Sequence, residues 1–204
     1  MRKWTSNSQK NKAFAMSIHL ILGPMFSGKT TELMRWLERA EIAGRRVLTV
    51  RFQGDARYSE SAIATHAGSQ RSAVSGFTLQ QIMRSEAFAS ADVIGIDEGQ
   101  FFDDLAERSL EFVRMGKTLI IAALNGTYER KQWSTISNLL PCADRLSHLT
   151  AVCMRCGADA PFTGLLVAPD PTDQERSIHI GGKETYLALC GACWRAGVSV
   201  ESDE

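Results

Sequence analysis

Short apolar blocks, each followed by a glycine-rich or acidic break, recur along the first 150 residues. Ile18–Leu22, apolar except for His19, has the pattern of a strand buried on both faces. From Thr31 to Ala43 the period changes. Leu33, Trp36, Leu37 and Ala40 fall at i, i+3, i+4, i+7 on one helical face, and Gly44 sits where a C′ glycine belongs. Val47–Val50 is a second strand and Phe77–Ala89 has helix character. Asp103–Met115 is an amphipathic helix carrying Leu105, Leu110, Phe112 and Val113, and Gly116 ends it. Lys117–Leu124 contains Leu119-Ile120-Ile121-Ala122-Ala123, a further buried strand. Strands alternating with helices predict an α/β domain with a parallel sheet. Gln53–Gly68 is polar and broken by glycines, so it reads as a loop, and its His66 as a structural or surface histidine.

Two breaks in this pattern carry chemistry. Gly23-Pro24-Met25-Phe26-Ser27-Gly28-Lys29-Thr30 fits G-x-x-x-x-G-K-[ST] and lies between a strand and a helix, the context this motif requires. Its backbone N–H groups turn inward around a triphosphate. Lys29 adds a point charge on the β/γ-phosphates, and the Thr30 hydroxyl holds Mg²⁺. The helix N-terminus adds its own partial positive charge. The second break is Ala91-Asp92-Val93-Ile94-Gly95-Ile96-Asp97-Glu98, an apolar strand ending in two acids. Asp97 is placed to share the Mg²⁺ with Thr30. Glu98 projects differently and is available as a base. Gln100-Phe101-Phe102 follows; Phe102 reads as core and Phe101 as a ring to stack on a flat substrate. The strand ending at Leu124 delivers Asn125, Tyr128, Arg130 and Lys131 to the same crevice, where a cation either clamps phosphate or is simply solvated. Arg57, on a loop leaving a strand's carboxyl end, is a further candidate.

After Leu149 the character changes. Cys153-x2-Cys156 and Cys190-x2-Cys193 stand 33 residues apart. Four thiolates on two turns suit tetrahedral Zn²⁺ and leave no open position, which makes the ion structural. Cys142 is an ordinary thiol. Between the pairs, Gly164–Gly182 contains Pro169, Pro171 and Gly181-Gly182, a long loop pinned at both ends and read as a lid over substrate.

Composition narrows the partners. The 204 residues are 44% hydrophobic and 23% charged, enough for one α/β core with a small appendage. No apolar run approaches the length of a membrane span. Residues 1–16 carry Arg2, Lys3, Lys10 and Lys12 and no acid, and read as a disordered polar arm without a secretory signal. The remainder carries 19 Lys/Arg against 23 Asp/Glu, a poor electrostatic match for nucleic acid. The setting reads as cytoplasmic and reducing, where paired cysteines bind metal rather than cross-link. Bare nucleotide binding has no use for Glu98. A base beside a lidded, water-excluding pocket implies an alcohol acceptor, hence a kinase. Two rivals stand beside it: a zinc-ribbon ATPase acting on nucleic acid, and a non-enzymatic nucleotide sensor.

From about residue 18 to 194 the chain resembles the zinc-containing (type II) thymidine kinases. The residues that carry the resemblance are Ile21 to Leu33, Asp97-Glu98-Gly99-Gln100-Phe101-Phe102, Ala122-Ala123-Leu124, Leu149-Thr150-Ala151-Val152-Cys153 and Ile180-Gly181-Gly182. The resemblance implies a P-loop NTPase (RecA-like) parallel sheet flanked by helices over residues 17–150. It adds a small zinc-ribbon-like subdomain with a lid loop over 151–204. It implies transfer of the γ-phosphoryl of ATP to the 5′-hydroxyl of thymidine, with Glu98 as general base. ATP would lie on Gly23, Pro24, Met25, Phe26, Ser27, Gly28, Lys29 and Thr30, with Asp97, Glu98, Gly99, Gln100 and Arg57 beside it. Met25, Phe101, Leu124, Tyr128, Thr163 and Tyr186 would form the base pocket, and the backbone of Ser177, Ile178, His179, Ile180 and Gly181 would read the base edges. A homotetramer and feedback inhibition by thymidine triphosphate are also implied. Asn125 stands where an Asp is usual in the class, which removes a charge at that point.

Overall fold

The computed structural model describes residues 16–54, 62–64, 70–166, 182 and 184–197. Six strands form one sheet: β1 (Ile18–Gly23), β2 (Val47–Phe52), β5 (Val74–Gly76), β6 (Val93–Ile96), β7 (Thr118–Leu124) and β8 (Arg145–His148). Their order is β5-β2-β6-β7-β1-β8, and every pairing is parallel. This is the P-loop NTPase (RecA-like) arrangement. β7 lies between β1, which feeds the phosphate loop, and β6, which ends in the acids. Register places the ends together, since Gly23 pairs with Leu124 and Ile96 with Ile121.

Burial on both faces explains why the strands read as apolar runs. Leu20 and Leu22 of β1 point to one side with Leu119, Ile121 and Ala123 of β7. Helices α2 (Leu79–Met83), α3 (Glu86–Ser90), α4 (Leu105–Arg114) and α5 (Ser134–Leu139) bring apolar side chains to that side, among them Leu79, Phe88, Phe112 and Leu139. Ile21, Ile120 and Ala122 point to the other side, covered by Leu33, Trp36, Leu37 and Ala40 of α1 (Lys29–Ile42). The approach of α1 needs Gly95 in β6, because a Cβ there would lie 2.5 Å from Leu37 Cδ1. Gly44 and Gly116 both have φ near +80°, at +74° and +85°, and follow α1 and α4 as C′ glycines.

Four expectations change. The polar stretch 53–68 is not all loop: β3 (Ala62–Ala64) pairs antiparallel with β4 (Gln70–Ser72). Phe77–Ala89 is two helices, because Ser85 leaves helical geometry and accepts from the Phe88 N–H as a new N-cap. Neither α5 nor β8 was expected, and Gly164 lies inside a strand rather than a loop. Residues 1–15, and most of the expected lid, lie outside the described residues.

The C-terminal module holds β9 (Ala151–Val152) paired with β10 (Asp159–Ala160). It also holds β11 (Phe162–Leu165) paired with β12 (Tyr186–Leu189), followed by α6 (Gly191–Arg195). Its own apolar cluster is small: Ala151, Cys153, Ala160, Ala188 and Leu189.

His19 is the polar exception in β1. It is buried, its Nε2 lies 2.9 Å from Ser147 Oγ, and its ring meets Trp36 edge-on at 4.9 Å. Burial, then the nearby Arg145, lowers its pKa from 6.5 to about 4; Glu32 opposes this and Arg35 adds to it. The native state thus binds fewer protons than the unfolded state between these values. Stability from a neutral His19 is complete above pH 6.5 and is lost as pH falls towards 4, by an amount of order 2 kcal/mol. Urea midpoints of wild type and His19→Gln should therefore converge or cross between pH 7 and pH 4.5. Parallel pH dependence in the two proteins would contradict this account.

Candidate functional site

The phosphate loop runs from Gly23 at the end of β1 to Thr30 in the first turn of α1. Two of its residues hold left-handed backbone, Phe26 at φ 66° and Gly28 at φ 80°. A Cβ on Gly23 would lie 2.5 Å from Ser27 Oγ and 2.8 Å from the Leu149 carbonyl oxygen, so this position requires glycine. The Pro24 carbonyl accepts from both Ser27 Oγ and Lys29 Nζ, each at 2.8 Å. No side chain caps α1 at Gly28. Its first-turn N–H groups therefore face the loop, the usual provision for an anion.

The turn after β6 separates the two acids. Thr30 Oγ1 donates to Asp97 Oδ2 at 3.0 Å, across from one motif to the other. Glu98 adopts φ 53°, ψ 44°, a left-handed conformation that is strained for a non-glycine residue. Its N–H donates to Asp97 Oδ1 at 3.1 Å, and its Oε2 accepts from Gln100 Nε2 at 2.6 Å. Asp97 is buried; burial, then the Glu98 charge, raises its carboxyl to about 7, while Thr30 and Lys29 pull the other way. A hydroxyl and a carboxylate in contact are hard oxygen donors of the kind Mg²⁺ takes.

The next residues form an aromatic wall. Phe102 is fully buried in the core. Phe101 is half-exposed, with Phe52 at 5.4 Å and Trp133 edge-on at 5.8 Å between ring centroids. Trp133 and Phe52 were not among the expected site residues. The indole N–H of Trp133 is buried without a protein partner. A tryptophan isolated in a polar stretch after a strand's carboxyl end was the available signal. Leu124 is half-buried at the end of β7, and Thr163 and Tyr186 are buried in β11 and β12. Arg57, Ser177, Ile178, His179, Ile180 and Gly181 lie outside the described residues.

The C-terminal module grips this crevice at several points. The Met25 N–H donates to Thr163 Oγ1 at 3.1 Å, and Phe26 packs against the module's apolar cluster. Trp194 Nε1 donates to the Tyr128 carbonyl at 3.1 Å. Asn125 Nδ2 donates to the Pro161 carbonyl at 2.9 Å, a bond an aspartate could not make. Arg130 is engaged by rings: its guanidinium lies 4.2 Å from the Phe162 centroid and 5.0 Å from that of Trp194. Its alternative as a phosphate clamp gives way to a cation–π joint.

All five cysteines are free thiols. The sulfurs of Cys153, Cys156, Cys190 and Cys193 lie within 4.8 Å of one another, and those of Cys156 and Cys190 are 3.6 Å apart. Tetrahedral Zn–S bonds of about 2.3 Å set sulfurs roughly 3.8 Å apart, so the cluster could hold zinc. The thiols alone conflict. Neighbouring Cys190 and Cys156 push Cys193 up to about 12. Cys153, despite burial, is lowered to about 6 by the N–H groups of Cys190, Arg155 and Cys156. A dication among four sulfurs removes that conflict.

The family model for Thymidine kinase matches residues 16–194. The thymidine kinase of Sheeppox virus (strain KS-1) is 42% identical over 178 residues, 87% of this chain and 96% of the viral protein. The cytosolic thymidine kinase of Gallus gallus is 44% identical over 178 residues, 87% of this chain and 76% of that one. The human cytosolic enzyme is 44% identical over 177 residues, 87% of this chain and 72% of its own.

Because the module's core is small and touches the phosphate loop, removing its metal should be felt in both places. Chelation under reducing conditions should lower the melting temperature by about 10 °C, the equivalent of roughly 4 kcal/mol in a chain of this size. ATP affinity should fall with it. An unchanged melting curve after metal removal, verified by elemental analysis, would contradict a structural ion.

Proposed function

The chain belongs to the thymidine kinase family and transfers the γ-phosphoryl of ATP to the 5′-hydroxyl of thymidine, and from that premise we propose how its residues divide the work. The observation that carries the assignment is the turn after β6. It sets Asp97 against Thr30 of the phosphate loop and leaves Glu98 on Gln100, beside the Phe101 ring.

The triphosphate lies on residues 23–30, with Lys29 leaving the Pro24 carbonyl for the phosphate oxygens. Arg57 and the backbone of the turn at 97–100 lie beside it. Thr30 and Asp97 would hold the Mg²⁺ carried with ATP, which would supply charge neutralisation on the phosphates. Thymidine stacks on Phe101, with Met25, Leu124, Tyr128, Thr163 and Tyr186 around it and the backbone of 177–181 at its base edges. Glu98 takes the proton of the 5′-hydroxyl as that oxygen forms its bond to the γ-phosphorus. The bridging oxygen leaves on ADP, and thymidine monophosphate carries the phosphoryl group. Exclusion of water directs the phosphoryl group to the bound alcohol.

In this reading residues 17–150 form the nucleotide-binding body, residues 151–204 the zinc module, and residues 1–16 a polar arm. The ion is structural zinc. The enzyme acts in the cytoplasm as a homotetramer. Thymidine triphosphate, which joins the substrate's base to a triphosphate, inhibits by spanning both subsites. In this reading neither a membrane nor a nucleic acid is a partner.

Phosphoryl transfer from labelled ATP–Mg to thymidine tests the assignment. Glu98→Gln should lose about 10²–10⁴-fold in kcat, the usual worth of a positioned general base. Lys29→Ala should abolish transfer at subsaturating ATP. Full transfer by Glu98→Gln would remove Glu98 from the chemistry. ATP hydrolysis that rises with added DNA or RNA, without labelled thymidine monophosphate, would mean that the acceptor is wrong.

A further inference from the structure

We propose that Gln100 is a positioning residue for Glu98: its carboxamide aims the base and is itself aimed by the backbone of β7. The inference rests on the reading of Glu98 as the base. It departs from the expectation that Gln100 belongs to the ATP site.

A glutamine carboxamide has two unlike ends, an accepting oxygen and a donating NH₂. The Leu124 N–H can only donate, and it reaches Gln100 Oε1 at 3.0 Å. That contact fixes which way the amide is turned. The NH₂ must then face the other side, where it meets Glu98 Oε2 at 2.6 Å. The Gln100 main chain is held as well, with its carbonyl accepting from Thr135 Oγ1 at 3.2 Å. Gln100 is 3% exposed, so solvent does not compete for either end. A side chain committed at both ends within the protein is badly placed to serve as a nucleotide ligand.

The arrangement answers a mechanical need. Glu98 has three rotatable side-chain bonds and sits on backbone in a strained, left-handed conformation. A base must stay within hydrogen-bonding reach of one hydroxyl, and displacement of about 1 Å can cost 10²-fold in rate. Gln100 ties the carboxylate to Leu124, whose side chain lines the base pocket. The proton-accepting group and the wall that positions thymidine are thereby held to one strand end. Gln100 and Phe101 share the same short 3₁₀ turn, Gly99–Phe101, so the tether and the stacking ring move together. Gly99 lets that turn lie close on β7, because a Cβ there would lie 2.7 Å from Ile121 Cγ2.

The test is Gln100→Met, which keeps the length and loses both polar ends, assayed in wild-type and Glu98→Gln backgrounds. In the wild-type background kcat should fall about 10–100-fold. The KM for thymidine and the dissociation constant of ATP should stay within about twofold. In the Glu98→Gln background the same change should cost nothing further, since a residue acting through Glu98 has nothing left to aim. A raised ATP dissociation constant with kcat intact would make Gln100 a nucleotide ligand and overturn the inference. So would unchanged kcat, or a full additional loss in the Glu98→Gln background. If Gln100→Met melts early, Gln100→Glu decides the matter. It keeps an acceptor for Leu124, puts an oxygen against Glu98 and, assayed well below its own melting temperature, should lose kcat while the ATP dissociation constant stays within about twofold. Full activity of Glu98→Gln would sink the base assignment itself. A damaged Glu98→Gln beside an intact Gln100→Met would sink only the role of Gln100.

Discussion

The site depends on a joint between two bodies: the Met25 N–H donating to the Thr163 hydroxyl, with Phe26 seated in the C-terminal module beside it. A phosphate loop is backbone turned inside out. Two residues here hold positive φ, one of them a phenylalanine, and such a loop persists only when its surroundings hold it. The sheet supplies one wall through Gly23 and the start of α1. The module supplies the other. That second wall cannot rely on apolar burial, because its cluster is three alanines, a cysteine and a leucine around two short hairpins. Cores of this size need a staple, and the four sulfurs within 4.8 Å are the means of supplying one. Trp194 and Arg130 extend the joint to the loop after β7, so one module braces both the phosphate loop and the loop after β7.

What could be read from the sequence was whatever local spacing determines. The phosphate loop, the acids after Ile96 and the two cysteine pairs each occupy a single turn, and the backbone brings their members together unaided. Buried strands such as β7 were equally plain, since both faces are covered and the whole run must be apolar. What escaped was set by distant contacts. β8 is an edge strand of Arg-Leu-Ser-His with Leu146 exposed, so its sequence carries no burial signal; its place comes from pairing with β1. The hairpin of β3 and β4 hides in a polar stretch for the same reason. Helix 77–89 looked continuous because its apolar residues keep the period, while Ser85 breaks the backbone with a cap that periodicity ignores.

The side chains whose expected use changed share one property: their partners lie far along the chain. Arg130 was free in sequence to meet a phosphate. In space it finds Phe162 and Trp194, more than thirty residues onward, and faces of two rings hold it. Asn125 similarly shows only a lost charge in sequence. In the fold it is a donor, and the Pro161 carbonyl it reaches is an acceptor that a carboxylate would repel. Replacing a charge by an amide there ties the end of β7 to the module.

Two adjacent carboxylates would be a liability if they shared one environment, since each raises the cost of ionising the other. The backbone resolves this within one residue. Asp97 continues the line of β6 and is carried inward, onto Thr30 and towards Lys29, where a cation and an oxygen-seeking metal can compensate its burial. Glu98 turns into left-handed geometry, which throws its side chain out of that line and onto the carboxamide of Gln100. The strain of that conformation is local, and the groups that hold it come from elsewhere: Gln100 from the next turn, Leu124 from the next strand, Thr135 from α5. A flexible acid on an unstrained turn would satisfy the sequence motif equally well. The structure instead gives the two acids different neighbours, and different neighbours are what the proposed division of labour, one acid holding a cation and the other taking a proton, requires.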